Sequence, residues 1–88
     1  MGRNSQARDL DEDTLSRRRR ILGEDDRDSL ISANNLANDL YYLGESSAAR
    51  DLDEDTLARR RRILGDDHPD TCASAANLAE DLRALSEP

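Results

Sequence analysis

Three residue patterns in this chain have the makings of chemistry, and each has a plainer reading beside it. The alternating acids Asp9, Asp11, Asp13 and again Asp51, Asp53, Asp55 imitate the opening of a calcium loop. The rest of that loop is missing: Thr14 and Thr56 stand where its turn glycine is required, and Arg20 and Arg62 where its bidentate glutamate belongs. The runs Arg17 to Arg20 and Arg59 to Arg62 suggest phosphate or nucleic-acid contacts. Four consecutive helical residues, however, point in directions about 100° apart and make no single basic stripe. His68 is the one histidine and Cys72 the one cysteine, too few soft ligands for a zinc site, so helix capping outweighs a zinc or catalytic reading. Cys72 is the one cysteine, and its slot in an internal repeat holds Leu30, which marks it as a small core residue rather than a reactive thiol. There is no glycine-rich phosphate loop, nucleophile elbow or Cys/His pair, so no catalytic residue, metal site or cofactor is expected.

The elements that would position any site follow from a repeat. Ala7 to Glu45 and Ala49 to Glu87 run in parallel 42 residues apart, with roughly two thirds of aligned positions identical. Ala49, Leu52, Thr56, Arg59 and Ile63 follow the 3, 4, 3, 4 spacing of one helical face, with Leu57 and Leu64 beside them. The first copy repeats this pattern up to Leu22, and Gly23 and Gly65 supply helix stops. Pro69 suits the first position of the next helix, and Asp26 fills the corresponding cap slot in the first copy. Buried sides are then expected on Leu30, Ala33, Leu36, Ala37, Leu40, Leu43 and on Cys72, Ala75, Leu78, Ala79, Leu82, Leu85. The expected architecture is all-α, with antiparallel hairpins joined by short turns. An N-terminal tail covers residues 1–6. A first repeat covers 7–48, with helices at about 7–22 and 27–43. A second covers 49–88, with helices at about 47–64 and 69–85.

Composition excludes several function classes. Acids outnumber bases 20 to 13, and a net charge of −7 opposes binding to nucleic acid or to an anionic membrane surface. No apolar run reaches the roughly 20 residues of a spanning helix, and residues 1–6 are too short and polar for a signal peptide, so the expected location is cytoplasmic. With no Trp or Phe, the core must be built from Leu, Ile and Ala, which is thin for 88 residues.

Asn35 to Gly44, followed by Ala49, Leu52 and Leu57, resembles the helices of a tetratricopeptide repeat. Leu64-Gly65-Asp66-Asp67-His68-Pro69-Asp70-Thr71 leading to Asn77-Leu78-Ala79, with the 42-residue period, is similar to the repeats of kinesin light chains and of actinobacterial tetratricopeptide arrays. The resemblance implies a right-handed superhelix whose Asn-rich helices line a concave groove. In that frame the rows Ile31, Asn35, Asn38, Tyr42 and Ala73, Asn77, Glu80, Ala84 face the groove. The amides there could grip an extended peptide backbone, or else hold neighbouring helices in register. Arg17 and Arg59 occupy slots where these families place an aliphatic residue, so their stems are expected to cover apolar surface while the guanidinium reaches an acid at the edge. Tyr41 and Tyr42 have no aromatic counterparts in the second copy and read as a local contact, a surface rim or core.

The implied function is a non-catalytic scaffold for a protein or peptide partner. Both end helices carry the interior pattern, so self-association end to end or by helix exchange is expected. A purely architectural spacer is the alternative, and nucleic-acid binding through the arginine runs ranks behind both.

Overall fold

The computed structural model describes residues 3–87. Four helices follow one another: α1 (Arg3–Leu22), α2 (Arg27–Tyr42), α3 (Ser46–Leu64) and α4 (Pro69–Ser86). Each packs on the next in sequence, giving two antiparallel hairpins side by side in a slab of 34 × 29 × 16 Å. An ion pair between Arg19 and Asp55 joins α1 to α3, and a hydrogen bond from the Asn77 side-chain amide to that of Asn34 joins α4 to α2. The first and third helices therefore form one layer and the second and fourth the other. Residues 3–6, expected to form a tail, are the first turns of α1; residues 1–2 lie outside the described residues.

Local chemistry sets these boundaries. The Asp26 carboxylate accepts from the Asp28 amide at 2.9 Å, and His68 Nδ1 accepts from the Asp70 amide at 3.0 Å, each satisfying a helix-start N–H that would otherwise lack a partner. Gly44 closes α2 at φ +84°, which brings the Glu45 amide back onto the Leu40 carbonyl at 2.8 Å. A side chain there would enter the left-handed region at a steric cost.

The core is small and lies where α1, α2 and α3 meet: Leu15, Ala33 and Leu36, with Leu40 and Leu52 packed against it. Ala49 and Leu57 are also buried. The expectation for α4 needs correction. Cys72, Ala79, Leu82 and Leu85 are exposed, and Ala75 and Leu78 only half-buried, while Thr71, Ser74 and Asp81 are the buried residues of that helix. The reason is positional. In α2 the equivalents Leu30, Ala33, Leu36 and Ala37 are covered by α3, and no described helix covers α4 in the same way. Cys72 is thus a surface thiol rather than a core residue. The isoleucines expected in the core are likewise exposed, Ile21 at 74% and Ile63 at 48%.

Candidate protein-binding surface

The repeated sequence builds the same staple into both hairpins. Arg60 Nη1 donates to Ser74 Oγ at 2.9 Å and to the Asp70 carbonyl at 3.2 Å, pinning α3 to the start of α4. Arg18 Nη1 does the same to Ser32 Oγ at 2.7 Å and the Asp28 carbonyl at 3.2 Å. Arg60 is 6% exposed, so its charged head is held inside the hairpin instead of projecting to solvent. Within each four-arginine run, then, the second residue is structural, as the angular spread of the run allows.

The first arginine of each run diverges between copies. Arg59 bonds Asp55 at 2.9 Å on its own helix, and it reaches back to the α1–α2 loop, to Asp25 at 2.7 Å and Glu24 at 3.5 Å. Arg62 adds a second bond to Asp25 at 2.8 Å. The carboxylates of Asp55 and Asp25 hold the Arg59 guanidinium more firmly protonated, and Arg59 and Arg62 in turn lower the pKa of Asp25. This clamp links the two repeats, and Arg59 behaves as expected, half-buried with its head on acids at the edge. Arg17 does not: its side chain is 66% exposed and pairs with Asp13 at 3.2 Å, and among the described residues no loop lies beside it as the α1–α2 loop lies beside Arg59. At concentrations low enough to keep the chain monomeric, Arg59→Ala is therefore expected to lower the midpoint of thermal unfolding, and 1 M NaCl to shrink the difference, whereas Arg17→Ala leaves the midpoint unchanged. Equal effects of the two substitutions would contradict this assignment.

The expected groove row on α2 lies on one face. Asn35, Asn38 and Tyr42 are exposed, Tyr42 at 73%, and Ile31 is half-buried beside them. Tyr41 and Tyr42 meet edge to face with ring centroids 5.5 Å apart. On α4, Glu80 and Ala73 are exposed, while Asn77 and Ala84 are half-buried. The structure brings Asn77 together with Asn34, not with its repeat equivalent Asn35: Asn77 Nδ2 donates to Asn34 Oδ1 across the repeats. One of the candidate amides is thus engaged in holding α4 to α2, and Asn35, Asn38 and Glu80 are the more exposed polar groups of this face.

The two clefts described lie elsewhere. One, of about 210 Å³, sits at the loop end of the slab between Leu30, Ile63 and Leu64, with Arg60, His68 and Asp25 at its rim. The other is a shallow polar depression on the opposite layer, between Arg19, Glu24 and Leu52. Among the described residues there is no cluster of three or more His, Cys, Asp or Glu able to hold a metal ion, and no helix is long and apolar enough to cross a membrane. The acids that imitated a calcium loop are spread around α1 and α3, with Asp9 and Asp51 exposed and Asp53 buried.

Sequence reading missed a pair of buried carboxyls in the second hairpin. Asp53 on α3 and Asp81 on α4 are 3% and 2% exposed and face each other. Burial pushes the Asp53 carboxyl up to about 8, the hydrogen bond to Asp81 and the charge of Asp81 act the same way, and Arg60 pulls it partway back. The first hairpin repeats the pair as Asp11 and Asp39 in a more exposed setting, where burial and then Asp11 push Asp39 up to about 6. The signal was present in the sequence. Both Asp pairs and both Arg/Ser staples recur at identical spacing in the two copies, and polar identities that survive on a helix face otherwise apolar mark contacts between helices.

Two antiparallel hairpins of the same sequence pattern, stapled internally in the same way and clamped side by side, define an α-helical repeat. The tetratricopeptide repeat model matches residues 1–28 and 29–70, and the chain belongs to that family. The second match spans α2, α3 and the turn after them, so the family's unit begins with the Asn-rich helix and α1 is the trailing helix of a unit before it. A search of the curated proteins finds no match to this chain. The family is one of repeat scaffolds for protein–protein interaction.

Proposed function

We propose that this chain is a non-catalytic, cytoplasmic scaffold that binds an extended segment of a partner protein along the α2/α4 layer and associates with itself through its ends. The observation that carries the first part is the row Ile31, Asn35, Asn38 and Tyr42. It sets two exposed amides and an exposed phenol beside the half-buried Ile31 on a single face of α2, and Glu80 is exposed on α4. Amides that offer both a donor and an acceptor suit a main chain, and an exposed tyrosine supplies an apolar anchor with a polar tip.

A purely architectural role is favoured by one contact, the Asn77–Asn34 bond, which uses a groove amide for stacking. Nucleic-acid binding has less support, since Arg18 and Arg60 are turned into the hairpins, Arg59 is paired with Glu24, Asp25 and Asp55, and Arg62 shares Asp25.

Selection of a display library of random linear peptides on the immobilised chain tests the peptide reading. Enriched sequences should lose binding to the Asn35→Ala/Asn38→Ala variant at unchanged helicity. No enrichment, or binding indifferent to those substitutions, would leave the spacer as the better description.

A further inference from the structure

The two copies of the repeat have nearly the same sequence but unequal surroundings, and the differences fall into one pattern. On α3, Leu52 is half-buried against the core that includes Leu36 and Leu40, while its equivalent Leu10 on α1 is 69% exposed. On α2, Leu30 is 5% exposed and lines the cleft with Ile63 and Leu64, while its equivalent Cys72 on α4 is exposed. Leu82, equivalent to Leu40, is 46% exposed, and Ile21 and Leu22, equivalent to Ile63 and Leu64, are 74% and 45% exposed. The charges follow suit. Arg59 and Arg62 meet Glu24 and Asp25, whereas Arg17 and Arg20 at one end of the slab, and Asp66 and Asp67 at the other, are the same residue types left exposed. What α1 and α4 each lack is what the other end presents.

Building on the self-association proposed above, we infer that the occupant of both ends is a second copy of this chain, docked head to tail in the register of the α2–α3 junction. In that arrangement, α1 of one copy lies on α4 of the preceding copy. Leu10 packs on Leu78 and Leu82, Ile21 and Leu22 cover Cys72, and Arg17 and Arg20 clamp Asp66 and Asp67. The apolar contacts supply the burial and the basic–acidic pairs fix the register, because a slipped or inverted contact sets like charges together. The junction is heterologous, so it leaves free ends and propagates rather than closing as a dimer. It lacks one bond of its template: Ala76 stands where Asn34 would receive the incoming amide of Asn35, so it is weaker than the covalent α2–α3 junction.

Charge reversal in pairs tests the register directly. One variant carries Asp66→Arg/Asp67→Arg, the other Arg17→Asp/Arg20→Asp, and helicity of each is checked by circular dichroism. In sedimentation velocity the parent chain should grow in mass with concentration, each variant alone should need about tenfold or higher concentration to do so, and an equimolar mixture should regain the parent behaviour, since unlike charges then meet at every junction. Cys72 gives a second readout: its rate of modification by a small aromatic disulfide should fall as the parent chain assembles and stay high in the single variants. A parent chain that remains monomeric at every concentration would remove both this junction and the self-association reading. Assembly indifferent to the reversals, or a mixture that fails to recover, would overturn the junction while leaving self-association standing.

Discussion

Asp53→Asn should raise the midpoint of thermal unfolding at pH 8, and the gain should shrink steadily as the pH is lowered toward 5. The wild-type hairpin buries two carboxyls against each other, and folding keeps a proton on Asp53 that the unfolded chain releases near the ordinary carboxylate value of about 4. With the folded value raised to about 8, the native state binds more protons than the unfolded state between those limits. The sign is then fixed: this contribution to stability is full below about pH 4, declines as the pH rises, and is gone once the pH passes about 8. Asparagine donates to Asp81 as the protonated acid does and carries no charge at any pH, so the benefit at pH 8 should be on the order of 2 kcal/mol. Asp39, raised to about 6, pulls in the same direction more weakly. Asp25 opposes both at the acid end, because its lowered pKa makes the Arg59 and Arg62 clamp fail as the pH falls. Wild-type stability should therefore peak on the acidic side of neutrality, between about pH 4 and 6, and a profile flat from pH 5 to 9 would contradict the shared-proton pair.

Arg60→Ala is expected to be the most damaging substitution of a charged residue in the chain. It removes a buried stem and leaves Ser74 Oγ and the Asp70 carbonyl without their donor inside the hairpin. Together these should cost about 2–4 kcal/mol, a large part of what an 88-residue helical repeat with so small a core possesses. Arg60→Met separates the two causes, since it keeps most of the apolar stem and loses only the donors. The equivalent Arg18→Ala should cost less, because that staple is half-exposed and water can replace it. Urea unfolding followed by circular dichroism measures all three. A loss below about 1 kcal/mol for Arg60→Ala would mean that the buried guanidinium contributes little beyond the cost of its own desolvation.

The helices were legible because their signals are local. Gly23, Gly44 and Gly65 all take positive φ, Pro69 opens α4, and Asp26 and His68 cap where their side chains can reach. The exposure of Asn35, Asn38 and Tyr42 on α2 was expected from the resemblance to a tetratricopeptide repeat, which sets that face away from the stacking contacts. Burial on α4 was not, since a pattern identical to that of α2 says nothing about whether a neighbour is present to cover it. Cys72, Leu82 and Leu85 carry the code for a core and lie at the surface. The polar contacts were hidden for a different reason. Arg60, Asp53 and Asp81 look like ordinary surface charges in a chain that is 38% charged, and only the pairing of α3 with α4 turns them inward. Arg17 and Arg59 make the same point, since identical residues in nearly identical local sequence differ because the described structure sets a loop beside Arg59 and none beside Arg17.

Amide chemical-shift mapping with a peptide enriched from the random library tests the central claim most directly. If the α2/α4 layer is the binding surface, perturbations will fall on Asn35, Asn38, Tyr42, Asn77 and Glu80 and leave the exposed face of α1 unchanged. Shifts confined to the α1/α3 layer, or to the cleft around Leu30, Ile63 and Leu64, would contradict it.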